Sequence, residues 1–162
     1  MLNQKEFLPI YALCSGTGSG SMLLQSLLDN HSQILSIPGY PLMYFYPHWQ
    51  EWLKQENTWE GIIEKMFYNH PSVFNTLEMP GSETLDKLGE NQNESINIDV
   101  VKFKKIILDL LGEHPIKSSI FLQALHFAYC RASGEATDGK KCILYHIHDP
   151  LYLKFLHDDF PS

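Results

Sequence analysis

A loop rich in glycine and serine, placed between an apolar run and an amphipathic segment, constrains the fold more than any other feature of the sequence. Residues 7–14 are mostly apolar without helical periodicity, which predicts a buried strand. Residues 15–21 read Ser-Gly-Thr-Gly-Ser-Gly-Ser, and residues 22–28 carry apolar side chains at helical spacings. The order of strand, loop and helix predicts the first unit of an α/β fold.

Two further apolar runs predict the remaining strands. Residues 33–37 form a short second strand that ends at Pro38 and Gly39, and residues 142–147 form a third. Helical patterns separate these strands, so we predict an α/β fold with a parallel sheet. A parallel sheet of three strands would leave an apolar edge and face exposed. We therefore expect the chain to be the N-terminal part of a longer protein and to self-associate through its uncovered edge.

The length and composition predict a single domain over residues 1–162. Hydrophobic residues make up 44% of the chain, which is enough to bury a core. Residues 78–97 are polar and acidic, which predicts an exposed polar linker within that domain. Trp49, Trp52 and Trp59 could line a pocket, but aromatic residues at helical spacing more often form a core.

The balance of charge argues against a nucleic-acid-binding surface, because 19 Asp and Glu outnumber 12 Lys and Arg. Arg131 is the only arginine, so a phosphate would be bound mainly by backbone N–H groups and hydroxyls. No run approaches the roughly 18 apolar residues of a membrane span. Cys14, Cys130 and Cys142 form neither a disulfide framework nor a metal motif. We expect a soluble, cytoplasmic protein without a membrane partner.

The chemistry of the loop favours an anion site. Unpaired N–H groups at the start of a helix converge on one point, and the helix dipole adds partial positive charge there. The hydroxyls of Thr17, Ser19 and Ser21 can donate further hydrogen bonds. The nucleoside-triphosphatase motif needs a lysine directly after its second glycine, whereas Ser21 follows Gly20 here. The glycine spacing also differs from the dinucleotide-binding fingerprint. The alternative is a flexible turn that binds no ligand.

Two segments resemble the sulfotransferase family. Residues 19–31, S-G-S-M-L-L-Q-S-L-L-D-N-H, are similar to the family's 5′-phosphosulfate-binding loop and helix, R/K-S-G-T-T-L-L-x-x-L-L-D-x-H. Residues 148–154 and the pair Phe160-Pro161 resemble its K-[TD]-P segment and the F-P before its next strand. The resemblance implies a three-layer α/β/α, P-loop-like fold, of which this chain would be the N-terminal portion. In the family, the following strand leads to the groups that bind the 3′-phosphate of the donor.

The resemblance also implies a reaction. The donor would be 3′-phosphoadenosine 5′-phosphosulfate, and a sulfuryl group would pass to a hydroxyl or amine of a small-molecule, carbohydrate or peptide acceptor without a metal. His148 aligns with the lysine of the family's K-D-P segment and is the candidate catalytic residue, since histidine exchanges protons near neutral pH. The residues implied to bind the donor are Thr17, Gly18, Ser19, Gly20, Ser21 and Met22.

Two departures from the family pattern favour an alternative, a non-catalytic binding or interaction module on the same fold. Gly18 stands where the family has a basic residue, and residues 37–40 lack the glutamate that serves as base in protein-tyrosine sulfotransferases. A metal site is a further alternative, because His146 and His148 face the same way on a strand. With no third ligand at a diagnostic spacing, we expect no metal.

Overall fold

Three short parallel strands form the sheet of this protein. The computed structural model describes residues 1–2, 6–16, 18–78, 85–88 and 90–161. The strands are β1 (Ile10–Cys14), β2 (Ile34–Leu35) and β3 (Cys142–Ile147), in the spatial order β1-β3-β2. In register, Ile10 lies opposite Ile143 and Ile34 lies opposite Cys142. The predicted mixed α/β fold with a parallel sheet is confirmed.

The strand bounds differ from the predicted ones at the two edges of the sheet. The third strand has its predicted bounds. The first strand begins only at Ile10. The backbone groups of Leu8 form hydrogen bonds with the side-chain amide of Gln123 instead: Gln123 accepts from the Leu8 N–H at 3.1 Å and donates to the Leu8 carbonyl at 2.7 Å. The second shrinks to two residues, and the carbonyl of Ile37 accepts instead from Gln25 Nε2 at 2.7 Å.

Six α-helices accompany the sheet in the described part of the chain. They are α1 (Ser21–Leu28), α2 (Phe45–Gln55), α3 (Trp59–Asn69), α4 (Val100–Leu111), α5 (Ser118–Ala132) and α6 (Leu153–Asp159). Asp99 caps α4 by accepting from the N–H groups of Val101 and Lys102 at 2.9 and 3.0 Å. Gly112 ends the same helix with a φ of 50°, a left-handed value that glycine adopts readily. None of the described helices is long and apolar enough to cross a membrane.

An aromatic cluster forms the centre of the core beside α5. Its members are Phe45, Trp49, Trp52, Trp59 and Phe121. The ring of Phe121 stacks on Trp59 with centroids 6.0 Å apart, and Trp52 Nε1 donates to Asn69 Oδ1 at 2.8 Å. The expectation that the tryptophans belong to the core is confirmed. Within the segment 78–97, the structure describes residues 78, 85–88 and 90–97, and Leu88 bridges Glu94.

Helix α1 buries its polar side and exposes its apolar side. Ser21 and Gln25, one turn apart, are its buried residues. Leu23, Leu24 and Leu27 are 68%, 47% and 72% exposed. This orientation follows from polar contacts that Ser21 and Gln25 make at the end of the sheet, which are described below. The result is an apolar surface on the outside of α1.

Candidate functional site

The glycine loop lies where β1 and β3 both end. The N–H of Ser15, the residue after β1, donates to the carbonyl of Ile147 at 3.1 Å, so the loop starts directly beside the end of β3. Gly18 and Gly20 both have a φ of 77°, which a side chain would disfavour. Ser19 N–H donates to the Gly16 carbonyl at 3.3 Å and closes a turn of the loop. Thr17 lies outside the described residues.

The start of α1 has two backbone donors without a partner in the described part of the chain. Gly20 directly precedes the helix, and no acceptor among the described residues engages the N–H groups of Ser21 and Met22. Such first-turn N–H groups and the helix dipole attract anions. A Cβ atom built on Gly16, Gly18 or Gly20 would meet no other atom within 4 Å. The loop is therefore open to a ligand, and its donors fit a phosphate or sulfate group.

A chain of side-chain hydrogen bonds runs from this loop into the interior. Ser21 Oγ lies 2.9 Å from Ser15 Oγ, and Ser15 Oγ lies 2.9 Å from Nε2 of His146. Nδ1 of His146 lies 2.7 Å from Oε1 of Gln25. His146 is only 4% exposed, and Gln25 only 2%. The chain thus joins the first turn of α1, the end of β1 and the central strand β3.

The amide of Gln25 determines the tautomer of His146. Because Gln25 Nε2 donates to the carbonyl of Ile37 at 2.7 Å, its Oε1 faces His146 and requires a hydrogen on Nδ1. The neutral ring then has no hydrogen on Nε2, which accepts from the hydroxyl of Ser15. Burial, and to a smaller degree the charge of His148, lower the pKa of His146 to about 4. This histidine is therefore neutral at physiological pH.

His148, the predicted catalytic residue, lies next to this chain of hydrogen bonds. Its ring centroid is 4.9 Å from that of His146 and 4.4 Å from that of Tyr40. Nε2 of His148 is buried, and nothing in the described part of the chain forms a hydrogen bond with it. His148 therefore has a nitrogen that remains available for a proton, whereas both nitrogens of His146 are engaged.

Tyr40 also lines a groove with a volume of about 300 Å³. Tyr44, His48 and His70 also line it, and Nδ1 of His48 lies 3.0 Å from Nε2 of His70. Burial lowers the pKa of His70 to about 4, although its hydrogen bond to the Pro41 carbonyl opposes the shift. The groove is mainly apolar and aromatic, which suits an organic ligand.

In the described part of the chain, no cationic side chain contacts the loop. No ion pair or hydrogen bond of the described residues joins a lysine or Arg131 to residues 18–22. The partly buried Lys140 donates to the carbonyls of His31 and Ile34, near the start of β2 and away from the loop. Among the described residues, no group of three His, Cys, Asp or Glu side chains is placed to hold a metal ion.

The sequence analysis did not assign a role in anion binding to Ser15, Gln25 or His146. The comparison with models of protein families finds no match. Curated proteins and solved structures likewise include no match to this chain. A functional assignment therefore depends on the geometry of the loop, on the side chains behind it and on the motif resemblance of residues 19–31.

Proposed function

We propose that the chain is a sulfotransferase-type protein with a P-loop-like fold, in which the loop binds the 5′-phosphosulfate of 3′-phosphoadenosine 5′-phosphosulfate. One observation carries this proposal: a glycine loop between β1 and α1, with open space around its glycines, leaves the N–H groups of Ser21 and Met22 without an acceptor among the described residues. An anion there would accept from these donors and gain from the dipole of α1. The proposed ligand residues are Thr17, Gly18, Ser19, Gly20, Ser21 and Met22.

The proposed reaction requires the loop to stabilise a leaving group. When the sulfur–oxygen bond to the donor breaks, negative charge develops on the phosphate oxygen, and donors aimed at that oxygen lower the barrier. The hydroxyls of Ser19 and Ser21 supplement the backbone donors. Since Gly18 supplies no cation, we expect turnover slower by about a hundredfold than with a basic residue there.

The acceptor would enter through the groove lined by Tyr40. Tyr40 lines this groove and its ring also lies 4.4 Å from that of His148, centroid to centroid. Nε2 of His148 is the imidazole nitrogen without a partner in the described site. His148 is therefore the residue we propose to receive the proton of an acceptor hydroxyl or amine. His146 is unsuited to that role because Ser15 and Gln25 occupy its two nitrogens.

A second candidate function is binding without catalysis. It is favoured by Gly18, which replaces the family's basic residue, and by residues 37–40, which contain no carboxylate. Such a module would keep the anion site and lose the transfer step. Turnover with hydroxyl acceptors separates the two functions, since only an enzyme releases 3′-phosphoadenosine 5′-phosphate from the donor.

Calorimetric titration tests the binding site that both functions share. We expect 3′-phosphoadenosine 5′-phosphate to bind and ATP with magnesium to bind less tightly. Gly20→Ala should weaken binding at least tenfold, because it forces a left-handed residue with a side chain into the loop. Gly139→Ala is the matched control, since Gly139 has a φ of 83° and equally open surroundings outside the loop. No binding, or a preference for ATP, would refute the proposal.

A further inference from the structure

The hydroxyl groups of Ser15 and Ser21 behind the loop have too few hydrogens to keep their present hydrogen bonds and also donate to an anion. In the neutral state Nε2 of His146 has no hydrogen, so the hydroxyl of Ser15 must donate to it. The 2.9 Å contact between the oxygens of Ser15 and Ser21 then has to use the hydroxyl hydrogen of Ser21, so two contacts use two hydroxyl hydrogens. The remaining ring hydrogen, on Nδ1, is committed to Gln25. An anion that accepts from Ser21 adds a third contact to the two that join His146, Ser15 and Ser21. Three contacts then need three hydrogens, and the two hydroxyls supply only two.

A proton on Nε2 of His146 resolves this shortage. The ring then donates to Ser15, Ser15 donates to Ser21, and Ser21 donates to the anion. We propose that an anion bound at the loop draws one proton onto Nε2 of His146, and that His146, acting through Ser15, turns the hydroxyl of Ser21 toward that anion. His146 is thus a positioning residue of the anion site, and this inference rests on the proposed function of the loop.

The position of His146 makes the added charge useful. A protonated ring lies two hydroxyl groups behind the anion, in a site that has no cation at position 18. The surrounding elements offer no competing partner in the described residues: Gln25 of α1 and Tyr40 are neutral, and His126 of α5 lines the same small cavity as His146. His148 can also carry charge, and its protonation would oppose that of His146.

Proton-linked binding has a direct signature in solution. Burial keeps His146 neutral in the free protein, so each proton taken up comes from the solvent. Between the pKa of His146 in the free protein, about 4, and its higher pKa in the complex, the affinity for the anion falls about tenfold for each pH unit of increase. Inorganic sulfate is the probe of choice because its charge is constant in this range, whereas a phosphate monoester titrates near pH 6.

The experiment is calorimetric titration of the full chain with sodium sulfate, at constant ionic strength, in two buffers of different ionisation enthalpy. We expect uptake of close to one proton per sulfate and the tenfold dependence on pH. Sulfate binding with no proton uptake would overturn the inference and leave the anion site intact. If neither sulfate nor 3′-phosphoadenosine 5′-phosphate binds, the proposed function fails, and the inference fails with it.

Variants assign the proton to His146. Ser15→Ala removes the hydroxyl that connects His146 to Ser21. Because Ser21 can then donate to sulfate without a proton on His146, sulfate binding should continue without proton uptake. His146→Gln places an amide donor behind Ser15 and should make the affinity independent of pH. Ser26→Ala, on the exposed side of α1, should keep the uptake of the unmodified protein. His148→Gln should also keep it; loss of uptake in His148→Gln would assign the proton to His148 and overturn the inference.

NMR of the unmodified protein tests the same proposal and does not depend on whether the variants fold. In ¹⁵N-edited spectra of the histidine rings, we expect His146 to carry a hydrogen on Nδ1 alone in the free protein. Addition of sulfate at pH 6 to 7 should give a doubly protonated ring. A ring that stays neutral while sulfate is bound would contradict the proposal.

Discussion

His146 on the central strand β3 and Gln25 on helix α1 form a buried hydrogen bond, in which Nδ1 of His146 donates to Oε1 of Gln25 at 2.7 Å. This bond, together with the bond from Gln25 to the Ile37 carbonyl, accounts for the unusual orientation of α1. Two buried polar side chains without partners would each cost about 1–3 kcal/mol. The helix therefore turns Ser21 and Gln25 inward, and its leucines remain in solvent.

Gln25→Ala should destabilise the protein by about 1–3 kcal/mol, because Nδ1 of His146 and the Ile37 carbonyl both lose their partner. Urea denaturation followed by tryptophan fluorescence measures the change. Ser26→Ala, one residue along the same helix and exposed, should change the stability by less than about 0.5 kcal/mol. Equal stabilities of the two variants would show that the buried bond contributes little.

Stability should fall as the pH is lowered from about 6.5 to about 4. Burial lowers the pKa of His70, His126 and His146 to about 4, so the unfolded chain binds more protons than the folded chain in this window. Each buried histidine contributes a loss of up to about 1.4 kcal/mol per pH unit. Asp29 and Asp159, whose pKa values are raised by burial, offset part of the loss at the acidic end.

Urea midpoints at pH 7.5, 6 and 5 test this dependence on pH. His126→Gln removes one of these groups and should reduce the slope, after allowance for its lower overall stability. His31→Gln is the control, because His31 is an exposed histidine. A midpoint that is constant from pH 7.5 to pH 5 would contradict the assignment of buried neutral histidines.

We expect the chain to self-associate through the outer surface of α1. Leu23 and Leu27 are 68% and 72% exposed, and Tyr11 on the edge strand β1 is 62% exposed. Exposed apolar side chains favour association, and an open strand edge adds unpaired backbone groups. Size-exclusion chromatography with light scattering should show a mass that increases with concentration.

Substitutions test whether the chain associates through the outer surface of α1 or through exposed apolar side chains in general. The double variant Leu23→Ser, Leu27→Ser should shift the mass toward the monomer. Leu151→Ser is the matched control, because Leu151 is 76% exposed outside α1 and its removal should have no such effect. A clean monomer of the unmodified chain at all concentrations would contradict the prediction.

The sequence predicted the elements with strong periodicity and missed contacts that depend on tertiary structure. The third strand was predictable because its apolar run between turn residues is a local signal. Helix α1 was predicted from its leucines, but its orientation was not, since a helical pattern does not say which side faces the sheet. The polar pair Ser21 and Gln25, four residues apart, was the signal that could have shown it.

The role of His146 illustrates the same limit. In the sequence, His146 and His148 are equivalent neighbours on one face of a strand. The parallel register places the end of β1 beside the end of β3, which brings Ser15 to His146 and leaves His148 next to Tyr40. That separation of roles arises from the pairing of residues 131 positions apart in the chain, which no local pattern encodes.

A titration of the ¹⁵N-labelled chain with 3′-phosphoadenosine 5′-phosphate, followed by NMR, tests directly whether the loop is an anion site. We expect the resonances of the Ser21 and Met22 backbone amides to shift most, because these are the donors without an acceptor in the described loop. The resonance of the Gly139 amide should not shift. If the Ser21 and Met22 resonances do not shift at saturating ligand, the loop is not an anion site.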